Sequence, residues 1–446
     1  MGNFEGTFYR SAKRYEEMKA WSLPQAPLRR PSVSPSSSAG PTLHFAKQLL
    51  SQNDSTIGIA ALGANHEKVK GSVMTSEVST DTQPGKPRVL IFSLRNIFKA
   101  LFRCPHYEFE DIIREIDSAV LLAPGVDPSN TRFTFARRVG YHIPVALNPG
   151  IRRIPAKIRY DIFFTICGYP QDLLMVNAVS NVRDICRTSV CLVDELWLKE
   201  MVKHRHFLRI LAKFDVVMLY YSQSVKPLSE QIGCRCVFLP PGVDAILFCP
   251  HPDPPKRVVD VCSIGRRSEI THQSLLRMVR ESGLFYLHDS IAGDQAINSK
   301  EHRAILANVA KRSRYFIVNP GKIDQPETRG NQIEIGNRYF EGAASGAIMV
   351  GEPPKNEEFE RLFDWPDAVT QLPYDSYDID MVIKGLDGDP ERQDRIRRTS
   401  VVQALMRHDW VYRWEAVLKT VGLEPMQGVL ERKGRLRKLA EMLQNG

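Results

Sequence analysis

The segment from Glu334 to Val350 carries the residue types that could bind a nucleotide diphosphate. Its sequence, EIGNRYFEGAASGAIMV, predicts a glycine/asparagine loop, a short helix, a glycine stop and an apolar strand. A loop that opens a helix presents free N–H groups and the positive end of the helix dipole, which favours a phosphate. Arg338 adds bidentate donors, and Glu341 lies one helical turn further on, where its carboxylate could accept hydrogen bonds from ribose hydroxyls. These residues predict a nucleotide-sugar site.

A pair of arginines forms a second candidate anion site in the run Cys262-Ser-Ile-Gly-Arg-Arg-Ser-Glu269. Gly265 allows a sharp backbone turn where an apolar strand becomes a loop. Arg266 and Arg267 then lie at the carboxyl end of that strand, where they could stabilise the charge of a departing diphosphate. The alternative is an exposed arginine pair on a loop.

Four titratable residues in the first half of the chain could act on an acceptor. Asp194 and Glu195 follow an apolar run and could deprotonate or position an acceptor hydroxyl. They could equally be acids that complement the dipole of a helix N-terminus. His106 and Glu108 follow the first predicted strand, where an acceptor could also bind. The alternative is again that the acids in this segment complement the dipole of a helix N-terminus.

The composition excludes several classes of protein. The 446 residues are 43% hydrophobic and 25% charged, as in globular proteins. No stretch approaches the ~20 apolar residues of a membrane span, and the first residues lack the apolar core of a signal peptide. We therefore expect a cytoplasmic protein with free cysteines. Cys234/Cys236 and His204/His206 lack the second matched pair that zinc requires, so we predict no metal site.

Positive charge is concentrated between residues 132 and 159, which hold seven Lys/Arg and no acid, within a net charge of +9. This segment could contact an anionic acceptor or an acidic membrane face. The absence of interleaved aromatics and of nucleic-acid motifs favours a solvated basic loop over a nucleic-acid site. We predict no nucleic-acid partner.

Short apolar runs alternate with helix-length segments along most of the chain, which predicts βαβ units and parallel sheets. The alternation restarts after the proline-rich stretch at 250–255, which indicates a hinge between two domains. Ligands of such domains bind at the carboxyl ends of strands, so we expect the site in a cleft. The predicted parts are a largely disordered or linker extension (1–85), an acceptor-side Rossmann-like domain (86–247), a Rossmann-like donor domain (256–385) and C-terminal helices that pack back across the hinge (390–446).

The motifs together resemble the GT-B glycosyltransferases, and most closely the glycosyltransferase-family-1-like group that includes spore-maturation-type proteins. The resemblance rests on PPGVD at 240–244, SIGRR at 263–267, GNRYFEGAASGAIMVGEPP at 336–354 and His408-Asp-Trp410 with Arg413. It covers residues 235–420 well and the first domain only by its strand and helix pattern.

The resemblance implies roles for individual residues. The diphosphate would meet the loop residues Gly265, Arg266, Arg267, Gly336, Asn337 and Arg338. Glu341 would hold the ribose, and Asn319 would help to frame the base. Many retaining relatives have two glutamates with seven residues between them, the first of which contacts the donor sugar. Here six residues separate Glu334 from Glu341, which leaves the role of Glu334 and the stereochemistry open.

The sequence therefore predicts a metal-independent, hexosyltransferase-type glycosyltransferase of the GT-B fold, without a cofactor. Its partners would be a nucleotide-sugar donor and a sugar, lipid-linked or protein acceptor. We expect the protein in the cytoplasm, where residues 132–159 could hold it at the inner face of the membrane. Two alternatives remain: a GT-B-like nucleotide-sugar-binding protein without transfer, and a two-domain nucleotide-sugar epimerase. Transfer and donor-hydrolysis assays separate them.

Overall fold

The computed structural model describes residues 87–125, 159–177, 181–289 and 296–445, together with positions 135, 139 and 179. The predicted extension at 1–85 and nearly all of the basic segment at 132–159 lie outside the described residues. Within the described part of the chain, no helix is both long and apolar enough to cross a membrane.

The first domain is built on a six-stranded parallel sheet with the strand order β2-β1-β3-β4-β5-β6. The strands are β1 (Val89–Phe92), β2 (Ala119–Leu122), β3 (Tyr160–Cys167), β4 (Cys186–Val193), β5 (Val216–Leu219) and β6 (Cys236–Phe238). Most of their residues are buried, as expected for strands covered on both faces. The chain runs from β1 outward to β2 and then returns to β3 on the other side of β1. This reversal opens a crevice between the carboxyl ends of β1 and β3.

The second domain repeats this topology in a five-stranded parallel sheet with the order β11-β10-β9-β7-β8. Its strands are β7 (Val259–Ser263), β8 (Tyr286–His288), β9 (Ser313–Val318), β10 (Ile348–Gly351) and β11 (Thr370–Gln371). Here the strand order reverses between β7 and β9. The loops that follow these two strands therefore flank the expected ligand crevice of this domain.

Helices connect the strands and cover both sheets. Those of the first domain are α1 (Cys104–Ile116), α2 (Leu173–Asn177), α3 (Val182–Ile185), α4 (Leu198–Met201), α5 (Arg205–Leu211), α6 (Val225–Ile232) and α7 (Ala245–Phe248). Those of the second are α8 (Glu269–Ser282), α9 (Ser299–Lys311), α10 (Pro326–Arg329), α11 (Asn337–Ser345), α12 (Glu357–Leu362) and α13 (Ile379–Asp387). Helix α11 ends at Gly346, whose left-handed φ of +62° lets the chain turn directly into β10.

Three further helices, α14 (Pro390–Arg407), α15 (Trp410–Val421) and α16 (Gln427–Asn445), follow the second domain and return to the first. The indole of Trp414 donates to Asp117 Oδ2 at 2.7 Å. The guanidinium of Arg432 bonds Asp409 and also Asp244, which lies in the chain between β6 and α7. The structure confirms the predicted fold of two Rossmann-like domains with a helical tail.

Candidate functional site

Three loops of the second domain converge at the crevice between β7 and β9. The Nε of Arg338, in the first turn of α11, donates to the carbonyl of Ile264 at 3.1 Å. Gly265 has a φ of +95°, and a Cβ there would lie 4.0 Å from the guanidinium of Arg338. A Cβ on Gly336 would lie 3.4 Å from the carbonyl of Asn319. The fold thus brings together four residues that the sequence assigned to donor binding.

The two loop arginines each pair with a carboxylate. Arg266 bonds both oxygens of Asp324 at 3.0 Å, and Arg267 bonds Asp289 Oδ1 at 3.0 Å. The backbone N–H of Gly265 donates to the other oxygen of Asp289 at 2.8 Å. These pairs are partly exposed, so they are weak and a phosphate can compete for the same donors. In the predicted phosphate-binding loop, donors of Gly265, Arg266 and Arg267 are therefore already bonded to carboxylates.

Glu341 lies at the base of this cluster, fully buried between two arginines. It accepts hydrogen bonds from Arg338 on its own helix and from Arg303 on α9. Burial alone would raise the pKa of Glu341, but the two guanidiniums outweigh burial and lower it. The carboxylate fixes the orientation of Arg338 at the phosphate loop. Its predicted contact with ribose stays a prediction.

Glu108 lies in the contact between the two domains, with oxygens that accept bonds from several protein donors. Arg303 donates from Nε and Nη2 at 3.0 and 3.1 Å, the indole of Trp410 at 2.8 Å and the backbone of Asp244 at 3.2 Å. Burial is the main cause that raises the pKa of this carboxyl group. Glu108 thus joins α1 of the first domain to α9 of the second, and its contact with an acceptor stays a prediction.

His106 and Asp194 form a buried pair, although 88 positions separate them in sequence. His106 lies in the first turn of α1, after β1, and Asp194 follows the end of β4. Their Nε2 and Oδ2 atoms are 2.7 Å apart. A carboxylate in this position fixes the imidazole tautomer and leaves Nδ1 as an acceptor. The pair has the chemistry of a general base with its orienting acid.

Glu195, the next residue after Asp194, bridges to the second domain. Its carboxylate pairs with the ammonium of Lys322 at 2.8 Å, and Lys322 also lies over the rings of Tyr169 and Trp197. Burial and the charge of Asp194 raise the pKa of Glu195, against the opposing effect of Lys322. Since Lys322 belongs to the loop after β9, this pair joins the strand end that bears Asp194 to the loop that bears Asn319.

Glu334 is buried where the two domains meet. Its Oε1 accepts a hydrogen bond from Gln332 at 2.7 Å, and its carbonyl accepts from the N–H of Gly321 at 3.1 Å. Burial raises the pKa of this carboxyl group to about 7. The side chain of Gln332 extends the contact across the cleft, since it also bonds Ser224 and the backbone N–H of Leu198.

One segment of the chain matches a known protein family. Residues 267–419 match the family described as glycosyl transferase-like. This match confirms the resemblance inferred from the motifs for that segment. The glycosyl transferase-like segment includes Arg267, Asn319, Arg338 and Glu341, whereas the His106–Asp194 pair lies outside it.

Solved structures of similar proteins span most of the chain at low identity. Anabaena HepE in complex with UDP-glucose has a TM-score of 0.46 and 11% identity, over 75% of this chain and 99% of that one. A glycosyltransferase from Rickettsia africae gives 0.42 and 11%, over 76% and 98%. An α,α-trehalose-phosphate synthase (UDP-forming) from Burkholderia vietnamiensis gives 0.46 and 10%, over 77% and 98%. No curated protein matches the chain.

Sequence reasoning missed Arg303 and Gln332, which link the glycosyl transferase-like segment to the first domain. No local motif marks them, since each gains its role from a partner more than a hundred positions away. Among the described residues, no group of three or more His, Cys, Asp or Glu could hold a metal ion.

Proposed function

We propose that this protein is a GT-B glycosyltransferase that moves a sugar from a nucleotide-diphosphate sugar to an acceptor hydroxyl. The observation that carries the proposal is the Glu195–Lys322 pair at 2.8 Å. It links the end of β4, which bears Asp194 of the proposed base pair, to the loop after β9, which bears Asn319. A base and a phosphate-binding cluster on opposite sides of one cleft are what transfer to a hydroxyl requires.

The phosphate-binding role falls to Arg338, the N–H groups at the start of α11 and the loop at 265–267. Arg338 is held in place by Glu341 and by the carbonyl of Ile264, so its remaining donors are oriented before a ligand arrives. Preorganised cations stabilise the negative charge that develops on a leaving diphosphate. Arginines supply this charge directly, which supports the proposal that transfer proceeds without a metal.

The proposed reaction is a displacement at the anomeric carbon. His106 takes the proton of the acceptor hydroxyl, and the hydroxyl oxygen forms the new bond to the anomeric carbon. The bond from that carbon to the diphosphate breaks, and the nucleoside diphosphate leaves with the electron pair. A base on the acceptor side of the cleft favours a single displacement with inversion. The acceptor class and the cytoplasmic location stay predictions.

The test measures release of nucleoside diphosphate from a panel of UDP-, GDP- and ADP-sugars, together with nucleotide binding by calorimetry. His106→Gln and Asp194→Asn should lower kcat by about 10²–10⁴-fold, the usual contribution of a general base, while nucleotide affinity is retained. If His106 is the base, the pH–rate profile of His106→Gln should lose its acid limb. If His106 were only structural, the profile would keep its shape.

Arg338→Gln should instead weaken nucleotide binding by roughly tenfold or more, the effect of losing one charge-assisted contact. The matched control is Arg280→Gln, at an exposed arginine near the end of α8. This variant should change neither kcat nor the affinity for nucleotide. Binding without turnover would favour the non-transferring alternative. No binding of any nucleotide would refute the proposal.

A further inference from the structure

A cavity of about 420 Å³ lies where the first domain, the second domain and the tail helices meet. Its walls come from the end of β6 and the chain after it (Phe238, Pro240), from α12 (Arg361), from the end of α14 (Arg407) and from α15 (Tyr412, Arg413). We call it the hinge groove. It shares no residue with the candidate donor site or with the His106–Asp194 pair.

The hinge groove is positively charged. Among the described residues that line it are Arg361, Arg407 and Arg413 and no acidic residue. Arg361 and Arg407 each pair with a carboxylate, Glu358 and Asp364 respectively, that does not line the groove. The Nη2 of Arg407 donates to the backbone carbonyl of Arg361 at 2.6 Å, which holds the side chain of Arg407 against α12.

Arg413 is the unusual member of this set, because it is 5% exposed and only neutral groups bond it. Its Nε and Nη1 donate to the carbonyls of Pro241 and Arg407, each at 2.9 Å, and its Nη2 lies 3.4 Å from His408 Nδ1. None of the described carboxylates forms an ion pair with it. Burial lowers the pKa of Arg413 to about 10. A buried cation without a counterion is costly, and an anion in the adjoining groove would compensate it.

We propose that the hinge groove binds a phosphomonoester, with the phosphate among Arg361, Arg407 and Arg413 and the organic part against Phe238 and Tyr412. Guanidinium groups match the oxygens of phosphate with paired donors. The groove is larger than a single phosphate, and Phe238, Leu362 and Tyr412 give it apolar walls. These two features leave room for an organic group beside the anion.

Such a ligand would act on the connection between the domains. Arg413 holds the carbonyl of Pro241, in the segment that leaves β6 and leads to the second domain. A phosphate that engages Arg413, Arg361 and Arg407 together would bind the hinge, the second domain and the tail at once. The groove therefore offers a regulatory site for a small phosphorylated molecule, and this assignment stands whether or not the chain transfers sugars.

The test uses the full chain with three probes: phenyl phosphate, inorganic phosphate and benzyl alcohol. Calorimetry and thermal shift should show that phenyl phosphate binds more tightly than inorganic phosphate and that benzyl alcohol does not bind. Arg361→Gln and Arg407→Gln should each weaken phenyl phosphate by roughly tenfold, as expected for loss of one charged contact. Arg361 is largely exposed, so its variant tests the groove even if Arg407→Gln fails to fold.

The matched control is Arg398→Gln, an exposed arginine on α14 that does not line the groove, and it should bind as the unchanged protein does. Excess UDP should not compete, and Arg338→Gln should bind normally, since the donor site is separate. Absence of phenyl phosphate binding, competition by UDP, or full affinity in Arg361→Gln would each overturn the proposal.

Discussion

Replacing Arg303 by methionine should show how strongly the two domains depend on one buried cation. Arg303 is 2% exposed and contacts Glu108 on the first domain and Glu341 on the second. Burial alone would lower the pKa of Arg303, but the two carboxylates outweigh it and raise the pKa. Methionine keeps most of the side-chain length and removes the charge. Two buried carboxylates then lose a partner, although Glu341 retains Arg338.

The expected loss is about 3–5 kcal/mol of unfolding free energy at pH 8, the usual effect of breaking a buried ion pair from one side. Glu108 supplies most of this cost, because its remaining donors are neutral. Protonation of Glu108 removes its unpaired charge, so the loss in Arg303→Met should become smaller as the pH falls from 8 to 5. Urea unfolding, followed by tryptophan fluorescence and far-UV circular dichroism, measures the loss of unfolding free energy at each pH.

A second substitution makes this reasoning refutable. Glu108→Gln in the Arg303→Met background removes the stranded charge and leaves an amide oxygen to accept from Trp410, so the double variant should recover part of the lost stability. If Arg303→Met alone lowers the unfolding free energy by less than about 1 kcal/mol, the ion pairs of Arg303 contribute little to stability. A double variant no more stable than the single one would show that the stranded charge of Glu108 is not the cause.

Two further predictions concern the cleft. Because burial raises the pKa of Glu334 from 4.5 to about 7, the folded state retains a proton that the unfolded state releases, and stability should fall by up to about 3 kcal/mol as the pH rises across this interval. Glu334→Gln should abolish this slope in urea midpoints measured between pH 5 and 8; an unchanged slope would assign it to another group. Gly265→Ala, at a φ of +95°, should cost about 1–2 kcal/mol and weaken nucleotide binding, whereas the control Gly385→Ala, on an open helix surface, should keep affinity unchanged in the same calorimetric titration.

The strands could be predicted because a buried parallel strand is a short apolar run between turn residues. The run Arg88–Ser93 contains β1, and Ala347–Val350 overlaps β10. The edge strand β11 could not be found in this way, since it consists of the two polar residues Thr370 and Gln371. Its pairing with β10 is set by the sheet and not by its own composition.

The candidate anion-binding loops could be proposed from the sequence because their chemistry is local. Gly265, Gly336 and Arg338 lie in short motifs whose glycines and arginines already indicate an anion. The His106–Asp194 pair depends instead on the strand order, which places the ends of β1 and β4 near each other on one edge of the sheet. The sequence offered both residues as candidates, but nothing in their spacing indicated that they would meet.

The return of the tail to the first domain affects how the protein is made. Trp410 stacks on Phe109 at 4.7 Å, and Trp414 contacts the edge of Phe164 at 5.5 Å. At a translation rate of roughly 5–20 residues per second, the stretch from Phe164 to Trp414 takes on the order of 10–50 seconds to synthesise. Throughout that interval an aromatic face of the nascent first domain remains uncovered on the ribosome. The domain made first is thus covered last, and until then its uncovered apolar surface favours aggregation.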